Sequence, residues 1–121
     1  MENTKSLLAI TELGGYPDFR SLYNGCGFEV EQVTSMRKAL RSLKQSKFDV
    51  IIAEFNFQSD FRDRTSNLES LLAVVERKDD CRLIVFYEQD YAHQLERLRQ
   101  QYQPHATLPF PIDTEKLNSA L

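Results

Sequence analysis

The chain reads as a single α/β domain built on a mostly parallel sheet with helices on both faces, and three observations carry that reading. Three short runs, SLLAI at 6–10, DVIIAEF at 49–55 and RLIVFY at 82–87, are nearly continuous in apolar residues. Strands covered by helices on both faces have this pattern, whereas half-solvated strands alternate. Helical periods lie between and after these runs. With 121 residues, 41% of them hydrophobic and 27% charged, there is enough chain for one core and too little for two.

The elements follow in order. After the run at 6–10, a helix over about 17–24 carries Phe19, Leu22 and Tyr23, with Pro17 acceptable in its first turn. FEVEQVTS at 28–35 sets Val30 and Val33 among charged residues, as an edge strand does, and Gly25 and Gly27 punctuate its start. Met36, Ala39, Leu40 and Leu43 follow i, i+3, i+4, i+7, which predicts an amphipathic helix. The strand at 49–55 comes next, then the irregular stretch NFQSDFRDRTS at 56–66, longer than most connections of its kind. Leu68, Leu71, Leu72 and Val75 predict a helix from about 67, with Ser66 and Glu69 at capping-box spacing. The strand at 82–87 leads to a helix marked by Leu95, Leu98 and Tyr102. ATLPF at 106–110 is a short last strand, and Asp113 or Thr114 caps a final helix over 114–121. The order is strand then helix, five times, which implies right-handed crossovers.

Composition removes several function classes. Fifteen Lys+Arg against eighteen Asp+Glu leave a net charge of −3, too little positive field for a nucleic-acid or anionic-membrane partner. No apolar run has the length of a membrane span or signal sequence, so a cytoplasmic protein is expected. Cys26 and Cys81 match no metal-ligand spacing and read as plain thiols, and His93 and His105 read as solvated side chains. The GGYP segment at 14–17 lacks the spacing of a phosphate-binding loop, and Ser, His and Asp occur without a nucleophile-elbow pattern. Neither a cofactor nor a bound metal is expected.

ALRSLKQSKFDVIIAEFN and the turn in ATLPFPIDTEKL resemble the receiver domain of bacterial response regulators, and the likeness spans nearly the whole chain. It implies a flavodoxin-like sheet of order 2-1-3-4-5 whose functional edge lies at the carboxyl ends of the strands. That order would set Cys26 and Cys81 three strands apart, roughly 14 Å, beyond the reach of a disulfide.

The resemblance also implies where a phosphorylation pocket would lie. Receivers place an acidic pair after the first strand; here Thr11 and Glu12 stand there, so one acid survives of two. The acceptor aspartate falls on Glu54, a methylene longer, which displaces the carboxylate from the in-line position that phosphoryl transfer demands. The hydroxyl residue after the fourth strand falls near Tyr87, with Glu88 behind it. Receivers place a lysine before a proline on the last strand, whereas here Phe110 precedes Pro111 or, in the other register, Leu108 precedes Pro109. Neither register supplies a cation, and each missing charge forfeits several kcal/mol of transition-state stabilisation, to order of magnitude.

These departures describe a degenerate, or pseudo-, receiver: not an enzyme, but an interaction module of bacterial signal transduction that docks other signalling proteins. The alternative is an atypical receiver that takes a phosphoryl group with Glu54 and Mg²⁺. Glu54 itself has three readings: a partly solvated acid at a strand end, a carboxylate imitating a phosphorylated aspartate, or a residual metal ligand with Glu12. Tyr87 reads as an amphipathic rim residue or as a displaced aromatic switch. Within the loop, Phe57, Phe61, Arg62 and Arg64 are candidate partner contacts, with local packing of the loop as the other reading. The short final helix predicts that Leu117 and Leu121 are left partly uncovered, so a homodimer through 91–102, 106–110 and 114–121 is a possible use of that face. Arg37, Lys38, Arg41, Lys44 and Lys47 form a basic stripe, read as a solvated face with a docking patch as the alternative.

Overall fold

The computed structural model describes residues 5–11, 18–55, 69–75, 81–100 and 102–121. Its elements are β1 (Lys5–Ile10), α1 (Arg20–Gly25), β2 (Phe28–Val33), α2 (Met36–Gln45), β3 (Val50–Glu54), α3 (Glu69–Val75), β4 (Arg82–Tyr87), α4 (Ala92–Arg99), β5 (Ala106–Pro109) and α5 (Thr114–Ala120). A single 3₁₀ turn, Gln89–Tyr91, leads into α4. All four strand pairings are parallel, and the sheet order is β2-β1-β3-β4-β5. This is the flavodoxin-like arrangement.

Two cores sandwich the sheet. On one face Leu7, Ala9, Val50, Ile52, Ile84 and Phe86 meet Tyr23 of α1 and Leu117 of α5. On the other, Leu8, Ile10, Ile51, Ala53, Leu83 and Val85 meet Ala39 and Leu43 of α2, Leu71, Leu72 and Val75 of α3, and Leu95 of α4. Alternate residues of each central strand therefore serve opposite layers, and the unbroken apolar runs follow from this. β2 is an edge, and it exposes Glu29, Glu31 and Gln32 while burying Phe28 and Val33.

Boundaries are set by hydrogen bonding. Asp49 locks the entry to β3: its amide donates to the Ser6 carbonyl and its carboxylate accepts from the Ser6 amide, both at 2.8 Å. Ser35 caps α2 by accepting from the Lys38 amide at 3.2 Å, so β2 ends at Val33, short of the predicted 35. Asp113 caps α5, accepting from the amides of Glu115 and Lys116. Gly27 has φ of 93°, a conformation that a side chain would strain, and it turns the chain from α1 into β2. α1 starts at Arg20, later than the predicted 17. α3 is described from Glu69; Ser66 and Leu68, used to predict its start, lie outside the described residues. Among the described residues no helix is long and apolar enough to cross a membrane.

Candidate functional site

Parallel register brings four of the expected pocket positions to one rim. Ile10 pairs with Ala53, so Thr11 follows β1 beside Glu54 at the end of β3. Glu54 pairs with Phe86, Tyr87 pairs with Pro109, and the Phe110 amide donates to the Tyr87 carbonyl at 2.8 Å. Thr11, Glu54, Tyr87 and Phe110 therefore stand on successive strand ends, roughly 5 Å apart from one strand to the next. Glu12 lies outside the described residues.

Each side chain has a definite environment. The Thr11 hydroxyl is turned toward β2: it donates to the Val33 carbonyl at 3.4 Å and accepts from Gln32 Nε2 at 3.2 Å. Tyr87 is half-buried against the α2–α4 layer. Phe110 is 40% exposed, the one large hydrophobic residue so exposed among the described residues, and Glu88 is also exposed. Leu108 is buried with Leu117 and Phe86, which removes it as a rim residue and leaves Phe110 in the position before proline.

Glu54 departs from one expectation. The reading of a partly solvated acid is wrong: Glu54 is 3% exposed, the one buried charged residue among those described. By strand alternation it shares the face of Val50 and Ile52, the layer covered by α1 and α5. That layer is aromatic near the rim, with Phe19 edge-on to Phe86 at 5.8 Å between centroids and tilted against Tyr23 at 6.4 Å. Tyr23 is the residue that sequence reasoning missed as part of the site. Burial pushes its phenol pKa upward, and the negative charges of Asp18 and Glu54 push it further the same way. Asp18 is itself exposed and paired with Arg20 at 2.9 Å, and hydrogen bonds from Arg20 hold its carboxyl below the usual range.

The other predicted contacts divide. Phe57, Phe61, Arg62 and Arg64 lie outside the described residues. Leu117 is not left uncovered: it is 0% exposed, because α5 lays it into the core beside Leu108. Leu121 is half-buried on the same layer. His93 and His105 are exposed. Cys26 and Cys81 are both free, and the Cys26 thiol donates to Asn118 Oδ1 at 3.0 Å. Among the described residues no group of three or more His, Cys, Asp or Glu could hold a metal ion.

No protein-family profile and no curated protein matches the chain. Solved structures do. A response regulator receiver domain protein from Clostridium thermocellum superposes with a TM-score of 0.75 at 17% identity, covering 96% of this chain and 90% of that one. The fold is that of a receiver domain. A receiver protein from Sinorhizobium medicae gives a TM-score of 0.73 at 18% identity, over 98% of this chain and 91% of the other. The chemotaxis response regulator CheY4 of Vibrio cholerae gives 0.72 at 18% identity, over 98% of this chain and all of that one.

Proposed function

We propose that this receiver-fold chain is a pseudo-receiver that acts in bacterial signal transduction, in the cytoplasm, by docking partner proteins without being phosphorylated. The observation that carries the reading is a buried Glu54 at the expected acceptor position together with Phe110 before Pro111, immediately after the last strand. A carboxylate accepts a phosphoryl group only where the donor can approach in line, and the 3% exposure of Glu54 supports a reading without phosphorylation. The transferred group then needs cations for its oxygens, and the phenyl ring of Phe110 brings none.

Mg²⁺ fits the described rim poorly. The ion requires near-octahedral oxygen ligands with substantial negative charge. The described rim offers one inward carboxylate, and the Thr11 hydroxyl is already engaged with Val33 and Gln32. This supports docking over the alternative of an atypical receiver that uses Glu54 with Mg²⁺. Homodimerisation through α4, β5 and α5 enters the reading only through Leu121, since Leu117 is spent on the chain's own core.

NMR spectra recorded with and without Mg²⁺ and beryllofluoride, a phosphoryl mimic, test the proposal. Unchanged amide shifts at Thr11, Glu54 and Tyr87 are expected. Saturable shifts clustered on those residues would restore the phosphotransfer reading.

A further inference from the structure

We propose that the outer face of α2 is a docking surface for an acidic polypeptide segment of a partner protein. Five of the chain's fifteen cationic residues, Arg37, Lys38, Arg41, Lys44 and Lys47, fall between Gln32 and Phe48, a stretch with no Asp or Glu, although the chain as a whole is acidic. All five are exposed. The two ion pairs among the described residues, Arg20 with Asp18 and Arg99 with Glu96, lie elsewhere. The nearby carboxylate on β2, Glu31, accepts from the Ser42 hydroxyl. Arg37, Arg41 and Lys44 stand at i, i+4 and i+7, one stripe about 10 Å long.

The placement runs against what the helix needs, and this separates a docking face from an ordinary solvated one. Arg37 and Lys38 occupy the first turn, which contains no acidic residue, so they face the positive end of the helix dipole. Lys38 is three residues after the Ser35 cap, where a glutamate would complete a capping box. Arg37 with Arg41, and Arg41 with Lys44, are like-charge neighbours on the helix surface, an arrangement that destabilises a helix. Meanwhile Ala39 and Leu43 are buried and Ser35 caps the helix, so the stripe is presented on a fixed support.

The stripe is short, which selects the partner. A nucleic acid carries its charge well past one helix face and here would run onto the exposed Glu29 and Glu31 of the neighbouring edge strand. An acidic segment can end where the stripe ends, with carboxylates one helical turn apart or on alternate residues of an extended strand. The assignment concerns a different face from the rim, and it would stand even if the rim were shown to take a phosphoryl group.

Fluorescence anisotropy with a short labelled oligoglutamate peptide tests it on the full chain. Saturable binding at low salt that weakens as salt rises is expected. A variant carrying Arg37→Glu, Arg41→Glu and Lys44→Glu should lose at least about tenfold in affinity, whereas Lys116→Glu on α5 should change it less than about twofold. A neutral variant with glutamine at the same three positions keeps the test interpretable should the charge reversal misfold, which far-UV circular dichroism reports. The proposal is overturned by absence of binding to the folded wild type, by equal loss in Lys116→Glu, or by tighter binding of an oligonucleotide of matched charge.

Discussion

Arg37→Glu is expected to stabilise the folded chain while weakening any acidic partner, and the size of the gain follows from the position of the residue. Arg37 is the second residue of α2, whose first turn has no acid and whose last turn already holds Lys44. Removing a cation from the positive end of the helix dipole and putting an anion there changes the energy by roughly 0.6–2 kcal/mol at low ionic strength, twice the usual single-charge effect. The like-charge neighbour Arg41 becomes an opposite-charge one with the acid on the N-terminal side, adding about 0.4–1 kcal/mol. Because Arg37 is exposed, the lower end applies, about 1 kcal/mol. For a chain of this length that corresponds to a rise in Tm of roughly 3–5 °C. Thermal melts followed by circular dichroism at low and high salt measure it, and the gain should shrink as salt screens the charges. A melting temperature that falls, or one that is unchanged at low salt, refutes the argument that α2 carries its charge at a cost to its own stability.

Three further outcomes follow from the packing. Leu117→Ala should cost about 2–5 kcal/mol in urea unfolding, as for a fully buried leucine, whereas a loss below about 1 kcal/mol would return Leu117 to the surface. Asp113→Ala should cost about 1 kcal/mol, because the amides of Glu115 and Lys116 lose their acceptor, and no measurable change would contradict the cap. Tyr23 has a raised phenol pKa, so above about pH 10 the unfolded chain releases a proton that the folded chain keeps, and stability falls as pH rises. Urea unfolding of the wild type should lose up to about 1.4 kcal/mol per pH unit more than Tyr23→Phe over that range; equal slopes would show that this phenol is not perturbed.

Much of the fold was legible because helix and strand leave different periods in the sequence. Continuous apolar runs located β1, β3 and β4 to within a residue, since both faces of those strands are covered. The i, i+3, i+4, i+7 pattern of Met36 to Leu43 located α2. Positions along the rim followed from the resemblance and the register, but their environments did not. A glutamate at a strand end reads as solvated, whereas Glu54 is 3% exposed, on the sheet face that α1 and α5 cover. Leu117 failed for the opposite reason. A helix ending at the last residue reads as uncovered, yet the edge strand β5 turns Leu108 inward beneath it. Both misreadings concern burial, a tertiary property that local pattern does not encode.

The proposed loss of phosphorylation rests on Glu54, 3% exposed at the expected acceptor position, and on Phe110, which brings no cation before Pro111. Intact-mass spectrometry of the full chain after incubation with acetyl phosphate and Mg²⁺ tests it most directly. A single species at the mass of the unmodified chain is expected. A species heavier by one phosphoryl group, lost when Glu54 is replaced by glutamine, would contradict it.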